Sequence, residues 1–369
     1  MPSTSKPVSL GAEPQTLVDR DGTLGRIRLN RPRALNSLTL EMVRDISAAL
    51  DLFEHDPTIA AVLVTGEGER GLCAGGDIRA IYDAGKAGSE LPATFWREEY
   101  RLNARIERYP KPYIVVMDGI VMGGGVGISV YGSHRIVTER SRFAMPETGI
   151  GFFPDIGASW FLTRQSNELG TYVALAGEPL GAADVIMVGL ADRFVPSERL
   201  PALAEALAGL PTEAASEVIS ARIQDFSAAP PAGALEPHRQ AIDRLFAFDT
   251  MEEIVEALRR DGSPFAEKAL AVLAAKSPLS LKVTLRLLRL GRQTARLESC
   301  LEREFAATAA VLRSKDFYEG VRAAVIDKDR NPQWHPGRLG DVTETQVAAY
   351  FQPSAHPLFS DTNEGGPRA

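Results

Sequence analysis

Tyr113-Ile114-Val115-Val116-Met117-Asp118-Gly119-Ile120-Val121-Met122-Gly123-Gly124-Gly125-Val126-Gly127 is the stretch whose reading decides the fold. Its first five residues are apolar and rich in β-branched side chains, the composition of a strand buried on both faces. The strand then runs into glycines, which let backbone approach a neighbour closely and present bare N–H groups. Upstream, residues 59–65 form a second short β-branched run, and it too leads toward a glycine cluster, Cys73-Ala74-Gly75-Gly76-Asp77. Residues 93–107, between the two runs, have helical composition. Strands alternating with helices predict an α/β layered fold rather than a sandwich or a bundle.

Toward the N-terminus, residues 23–29 alternate as a half-buried strand does, and residues 30–37 break the pattern with turn chemistry. Thr39 is placed to cap a helix whose apolar residues Met42, Val43, Ile46, Ala49, Leu50 and Phe53 recur at helical spacing, and which stops before Pro57. Beyond about residue 200 strand signals fade. Residues 201–210, 251–260, 265–275 and 281–308 read as helical, and residues 228–233 as a connector. The expected division is a catalytic core over 13–210, a helical region over 211–352 and a polar tail over 353–369. No internal repeat is evident.

The 369 residues carry 41 Lys+Arg and 48 Asp+Glu, a formal charge of −7, with 44% apolar residues. That apolar fraction supports a large core, and the acid excess argues against a nucleic-acid partner, which needs a basic face. A membrane span is not expected either, because the most apolar stretch, residues 113–130, is interrupted by Asp118 and five glycines. Residues 1–10 lack the apolar run of a signal peptide, which predicts a cytoplasmic protein, or a mitochondrial-matrix one in a eukaryotic source. Cys73 and Cys300 are too few for a disulfide framework or a four-thiolate metal site, and the five histidines are scattered. No metal is expected.

Gly66-Glu67-Gly68-Glu69-Arg70-Gly71 fits the dinucleotide fingerprint but is followed by more loop, where that motif requires a helix. Ser129 has no glycine two residues on, so the nucleophile elbow is absent, and no phosphate loop occurs. Two strand-to-glycine junctions remain, residues 73–77 and 118–127, and two N–H donors aimed at one oxygen make an oxyanion hole. Tight turns alone would explain the same glycines. A third segment, residues 143–157, sets two carboxylates, Glu147 and Asp155, in an otherwise apolar, Gly/Pro-shaped loop. Such surroundings penalise charge, so these acids are either solvated at the surface or held for chemistry.

Asn30-Arg31-Pro32, Cys73-Ala74-Gly75-Gly76-Asp77-Ile78, the run Gly123 to Gly127, and Met145-Pro146-Glu147 resemble, in order and spacing, the crotonase (enoyl-CoA hydratase/isomerase) superfamily. The resemblance implies a spiral of ββα units with a helical C-terminal region and an acyl-CoA thioester as ligand. Its oxyanion hole would be made by the N–H groups of Gly76 and Gly124. Coenzyme A is then part of the substrate rather than a cofactor, and superfamily assembly from trimers makes a homo-oligomer one expectation. A hydratase of this superfamily uses two glutamates, and here the first position is Gly127 while the second is Glu147.

The pattern is more similar to the thioester-hydrolase branch of valine catabolism, through Met145-Pro146-Glu147-Thr148, Phe153-Pro154-Asp155, Trp96-Arg97-Glu98-Glu99-Tyr100 and Ser277-Pro278-Leu279-Ser280-Leu281-Lys282. The likeness continues through Asp316-Phe317-Tyr318-Glu319-Gly320 to Ile326-Asp327-Lys328-Asp329. It implies hydrolysis of 3-hydroxyisobutyryl-CoA, with 3-hydroxypropionyl-CoA as a second substrate. Glu147 would attack the thioester or activate water, Asp155 would bind the 3-hydroxyl, and Glu99 would line the acyl pocket. Arg31 and Arg33 are local cations for the CoA phosphates or plain surface charges on a turn. Asp77 is read as fixing its loop, Cys73 as packed and Glu98 as solvated. The rival readings are an enoyl-CoA hydratase/isomerase and a non-catalytic acyl-CoA binder.

Overall fold

A computed structural model describes residues 13–359. Among these, nine strands form two sheets. The larger has the order β1 (Thr16–Asp21), β2 (Leu24–Leu29), β3 (Ala61–Gly66), β5 (Tyr113–Met117), β7 (His134–Val137), β9 (Arg193–Phe194), and only its first pair is antiparallel. The smaller is wholly parallel, in the order β4 (Gly71–Cys73), β6 (Ile120–Met122), β8 (Arg142–Ala144). The chain alternates between them, β3 to β4, β5 to β6, β7 to β8, and a helical segment follows each pair. This is the expected spiral of ββα units.

The first helix, α1 (Leu40–His55), shows why these residues fold this way. Thr39 accepts a hydrogen bond from the Met42 N–H at 3.2 Å, satisfying one of the free donors of the first turn. All six of its predicted apolar positions are buried. The helix ends where Asp56, preceding Pro57, turns extended, because the proline ring disfavours helical backbone before it. β5 spans the five residues predicted and is buried throughout.

Passage from one sheet to the other requires a sharp corner, and Gly119 makes it between β5 and β6. Its φ is +65°, and a Cβ there would stand 2.6 Å from Gly71 Cα and 2.7 Å from the Arg70 carbonyl oxygen. Gly119→Ala combines left-handed strain with a backbone clash, and is expected to destabilise by about 3 kcal/mol, read as a lower urea midpoint at unchanged slope.

The helical third is built onto the same hydrophobic core, whose main cluster runs from Ile27 to Leu358. The stretch read as one helix over 281–308 is two, Pro278–Arg292 and Leu297–Val311. The chain turns between them so that both pack against α5 (Ala158–Phe161), and Gly291 brings the first against the Ser159 backbone. Gly320, on helix Lys315–Val321, likewise lies against Ile150. Residues 353–359 of the expected tail are docked: Arg97 and Arg101 donate to the carbonyls of His356, Pro357 and Leu358. The expectation for residues 1–10, and the rest of the tail, lie outside the described residues.

Candidate active site

β4, β6 and β8 are adjacent and parallel, so their C-terminal ends open on one side. Each end delivers one loop. β4 leads through Ala74, Gly75 and Gly76 to α2 (Ile78–Lys86), β6 through Gly123 to α4 (Gly124–Gly127), and β8 through Met145 and Pro146 to the 3-10 turn Glu147–Ile150. Three segments far apart in sequence thus meet.

The first loop is pinned by a parallel bridge to Leu38. The Leu38 N–H donates to the Gly75 carbonyl and the Asp77 N–H to the Leu38 carbonyl, both at 2.8 Å. In such a bridge the amide of the middle residue, Gly76, points to the opposite side. Asp77 caps α2 through the Ala80 N–H and pairs with Arg31 at 3.0 Å, and Arg31 also donates to the Ser37 carbonyl. The Arg31 guanidinium is therefore a clamp on this loop, while Arg33 is exposed on the turn beside it. Cys73 is buried behind the loop, and burial pushes its thiol up to about 12, an inert packing residue.

Gly123 enters the second loop at φ +46°. The Gly76 nitrogen lies 3.3 Å from the position a Cβ on Gly124 would take, so the two amides are neighbours. Neither donates to a group among the described residues. Free, adjacent N–H groups are the donors that an oxyanion hole requires.

Glu147 and Glu99 flank this pair. Glu147 is 5% exposed, and its Oε1 lies 3.3 Å from the Cβ position of Gly123, while Oε2 is buried without a partner. Glu99, on α3 (Leu91–Glu107), crowds the Cβ position of Gly124 with an Oε1 that is also unpartnered. Its neighbour Glu98 points outward to Arg44 at 2.6 Å and 2.7 Å. Helical geometry separates adjacent side chains by about 100° and explains the split. Asp155 is buried as well; the Tyr100 hydroxyl donates to its Oδ2 at 2.6 Å and leaves Oδ1 without a side-chain partner. Stacked Trp96, Phe152 and Phe153 close the wall between α3 and this loop.

Burial, then the charge of Asp155, raises the Glu147 carboxyl well above the usual range, and the Lys276 ammonium pulls it back. Burial, then Asp155 and Glu147, raises Glu99. Burial raises Asp155, opposed by the Tyr100 hydrogen bond. A raised carboxyl binds its proton more tightly when folded, so its contribution to stability is complete below the unfolded pKa of about 4.3 and is lost as pH rises through the folded pKa. Glu99→Gln, which cannot ionise, is therefore expected to melt several degrees above the wild type at pH 8. The difference should close on acidification below about pH 4. A variant that melts lower at pH 8 would contradict the placement of this carboxylate.

At the hydratase position, Gly127, an acid would have to displace a buried side chain. A Cβ there would stand 2.8 Å from Asn103 Nδ2, and Asn103 is fully buried on the inward face of α3. Sequence reasoning missed Asn103, the tyrosine that holds Asp155, and Lys276, which lies behind the Glu147 turn near Gly149 and Gly177. It also missed Glu304, which binds the turn after Asp155. Glu304 continues the apolar stripe Leu297, Cys300, Leu301 and Phe305, and a carboxylate in such a stripe is the signal that was available.

Comparison with known proteins agrees with this architecture. A family described as enoyl-CoA hydratase/isomerase matches residues 24–351. The chain is 45% identical to the mitochondrial 3-hydroxyisobutyryl-CoA hydrolase of Rattus norvegicus over 92% of this chain and 89% of that protein. It is 42% identical to the human protein of that name over 92% and 89%. Among solved structures, a carnitinyl-CoA dehydratase from Mycobacterium thermoresistibile superposes with a TM-score of 0.89 at 42% identity, covering 95% of this chain and 100% of that one. An enoyl-CoA hydratase from Rhodobacter sphaeroides 2.4.1 gives 0.84 at 41%, covering 92% and 98%. With two free amides over a buried acid, and a matching family across nearly all described residues, the chain belongs to the enoyl-CoA hydratase/isomerase family.

Proposed function

We propose that this protein hydrolyses 3-hydroxyisobutyryl-CoA to the free hydroxy acid and coenzyme A, a step of valine catabolism, with 3-hydroxypropionyl-CoA as a second substrate. The observation that carries the reading is the arrangement of acids: Glu147 is buried with its Oε1 against Gly123, beside the free amide of Gly124, whereas the position of the second hydratase acid is Gly127 and Asn103 packs against it. The relatives named as hydrolases at 42–45% identity support it.

In this reading the thioester oxygen accepts hydrogen bonds from the Gly76 and Gly124 N–H groups, whose dipoles stabilise the charge of the tetrahedral intermediate. The Glu147 carboxylate attacks the carbonyl carbon, the C–S bond breaks and the thiolate leaves, giving a mixed anhydride that water hydrolyses. Water attack with Glu147 as general base gives the same products. Asp155 Oδ1 accepts the 3-hydroxyl, its partner oxygen held by Tyr100. Glu99 lines the acyl pocket beside Gly124, and Arg33 is the cation left for the CoA phosphates, Arg31 being engaged by Asp77 and Ser37.

One observation favours a second reading: Glu99 beside Gly124 could supply a hydratase with its missing acid. Incubation with crotonyl-CoA and with 3-hydroxyisobutyryl-CoA, with free thiol titrated throughout, separates the two. The hydrolase releases thiol from the hydroxylated ester. Loss of enoyl absorbance on crotonyl-CoA without thiol release from either ester would replace this reading by the hydratase.

A further inference from the structure

One buried carboxylate has no part in the chemistry above. Glu304, on helix Leu297–Val311, is 0% exposed, yet its partners are neutral donors of a single turn. Oε2 accepts from the Gly157 N–H at 2.6 Å, and Oε1 from the Ser159 N–H at 2.9 Å and the Ser159 hydroxyl at 2.6 Å. Burying an ionisable group is unfavourable even when it is hydrogen-bonded, and here burial pushes the carboxyl up to about 7. An apolar side chain would fill the same stripe at less cost, so the carboxylate answers a need of the turn.

The turn needs holding. It carries Asp155 and continues through two left-handed residues, Ile156 at φ +55° and Gly157 at φ +85°. A β-branched residue at positive φ is strained and persists only where its surroundings over-determine it. Glu304 ties down the N–H groups of Gly157 and Ser159, the Ala158 N–H between them donates to the Asp155 carbonyl, and the Tyr131 hydroxyl donates to the Ile156 carbonyl at 2.7 Å. Asp155 is fixed from the other side by Tyr100. Two helices far apart in sequence, α3 and Leu297–Val311, thus aim one carboxylate.

We propose that Glu304 is the positioning residue that locks the Asp155–Gly157 turn and so sets the selectivity of the site for a 3-hydroxylated acyl chain. This rests on the reading that Asp155 receives the 3-hydroxyl. A purely structural Glu304 would affect all substrates alike, whereas a positioning one affects the hydroxylated ester alone.

The test is kcat/KM for thiol release from 3-hydroxyisobutyryl-CoA and from isobutyryl-CoA, in the wild type, Asp155→Ala, Glu304→Gln and Ser159→Ala. Asp155→Ala should abolish the preference for the hydroxylated ester. In Glu304→Gln the amide keeps an acceptor for Ser159 but sets an NH₂ group against the Gly157 N–H. Misplacement by about 1 Å costs up to about 10²-fold, so the preference should fall by about tenfold or more while isobutyryl-CoA turnover stays within about twofold. Ser159→Ala, which deletes one donor, should lower the preference by a few fold, and it decides the matter if Glu304→Gln does not fold. A preference lost in Asp155→Ala but unchanged in Glu304→Gln, or in Ser159→Ala if that is the variant that folds, would overturn this proposal alone. So would an equal loss on both esters. A wild type without the preference, or Asp155→Ala retaining it, would overturn the Asp155 assignment and this proposal with it.

Discussion

Glu147→Gln is expected to lower kcat for thiol release from 3-hydroxyisobutyryl-CoA by at least about 10³-fold, with KM little changed. The amide has nearly the same shape, but it is neither nucleophile nor base, and losing such a group costs about 10²- to 10⁶-fold depending on its role. That is about 4 kcal/mol of transition-state stabilisation or more. Unfolding can be separated from lost chemistry by a linkage argument. Burial raises the Glu147 carboxyl, so its ionisation opposes folding at pH 8, and the neutral variant should be at least as stable there as the wild type. The same shift places the acid limb of the wild-type rate profile above the ordinary glutamate value of about 4.3, because the reactive form is the carboxylate. A variant retaining a tenth of the wild-type rate would leave Glu147 outside the chemistry.

Asp155→Ala is expected to reduce kcat/KM for 3-hydroxyisobutyryl-CoA by about 10²-fold or more, toward the value for isobutyryl-CoA. A site built to hydrogen-bond a hydroxyl rejects the analogue lacking it by up to about 10⁴-fold, because the buried acceptor is left unpaired. Asp155 meets that condition: it is 5% exposed, Tyr100 occupies Oδ2, and Oδ1 remains for a ligand. The alanine variant removes the acceptor and with it the reason for discrimination. Steady-state kinetics on both esters checks this, and equal losses on the two would remove Asp155 from acyl recognition.

Much of this architecture was legible locally. The Thr39 cap, the apolar spacing of α1 and the five apolar residues of β5 are interactions between near neighbours, and each is where local patterning put it. β1 was missed because its charged residues obscure the alternation, although Asp21-Gly22 is a hairpin signal. β4, β6 and β8 have three residues each, too few for any period to show. Yet their parallel pairing is what brings Gly76, Gly124 and Glu147 to one side. The repeat was invisible for a related reason: the helical part of the ββα units is irregular, two helices after β4, one turn after β6 and several helices after β8. The candidate residues were picked out by motif, while their adjacency came from non-local pairing that no window of sequence contains. The contribution of the helical third was hidden too, since Glu304 and Lys276 act across more than a hundred residues.

In the proposed mechanism two backbone amides hold the thioester oxygen while Glu147 attacks the carbon beside it. A crystal structure of Glu147→Gln with 3-hydroxyisobutyryl-CoA bound tests it most directly. The thioester oxygen should lie about 3 Å from both the Gly76 and Gly124 nitrogens, with the side chain of residue 147 against the carbonyl carbon. An oxygen bound away from these amides, or a residue 147 side chain turned from the carbonyl, would rule this mechanism out.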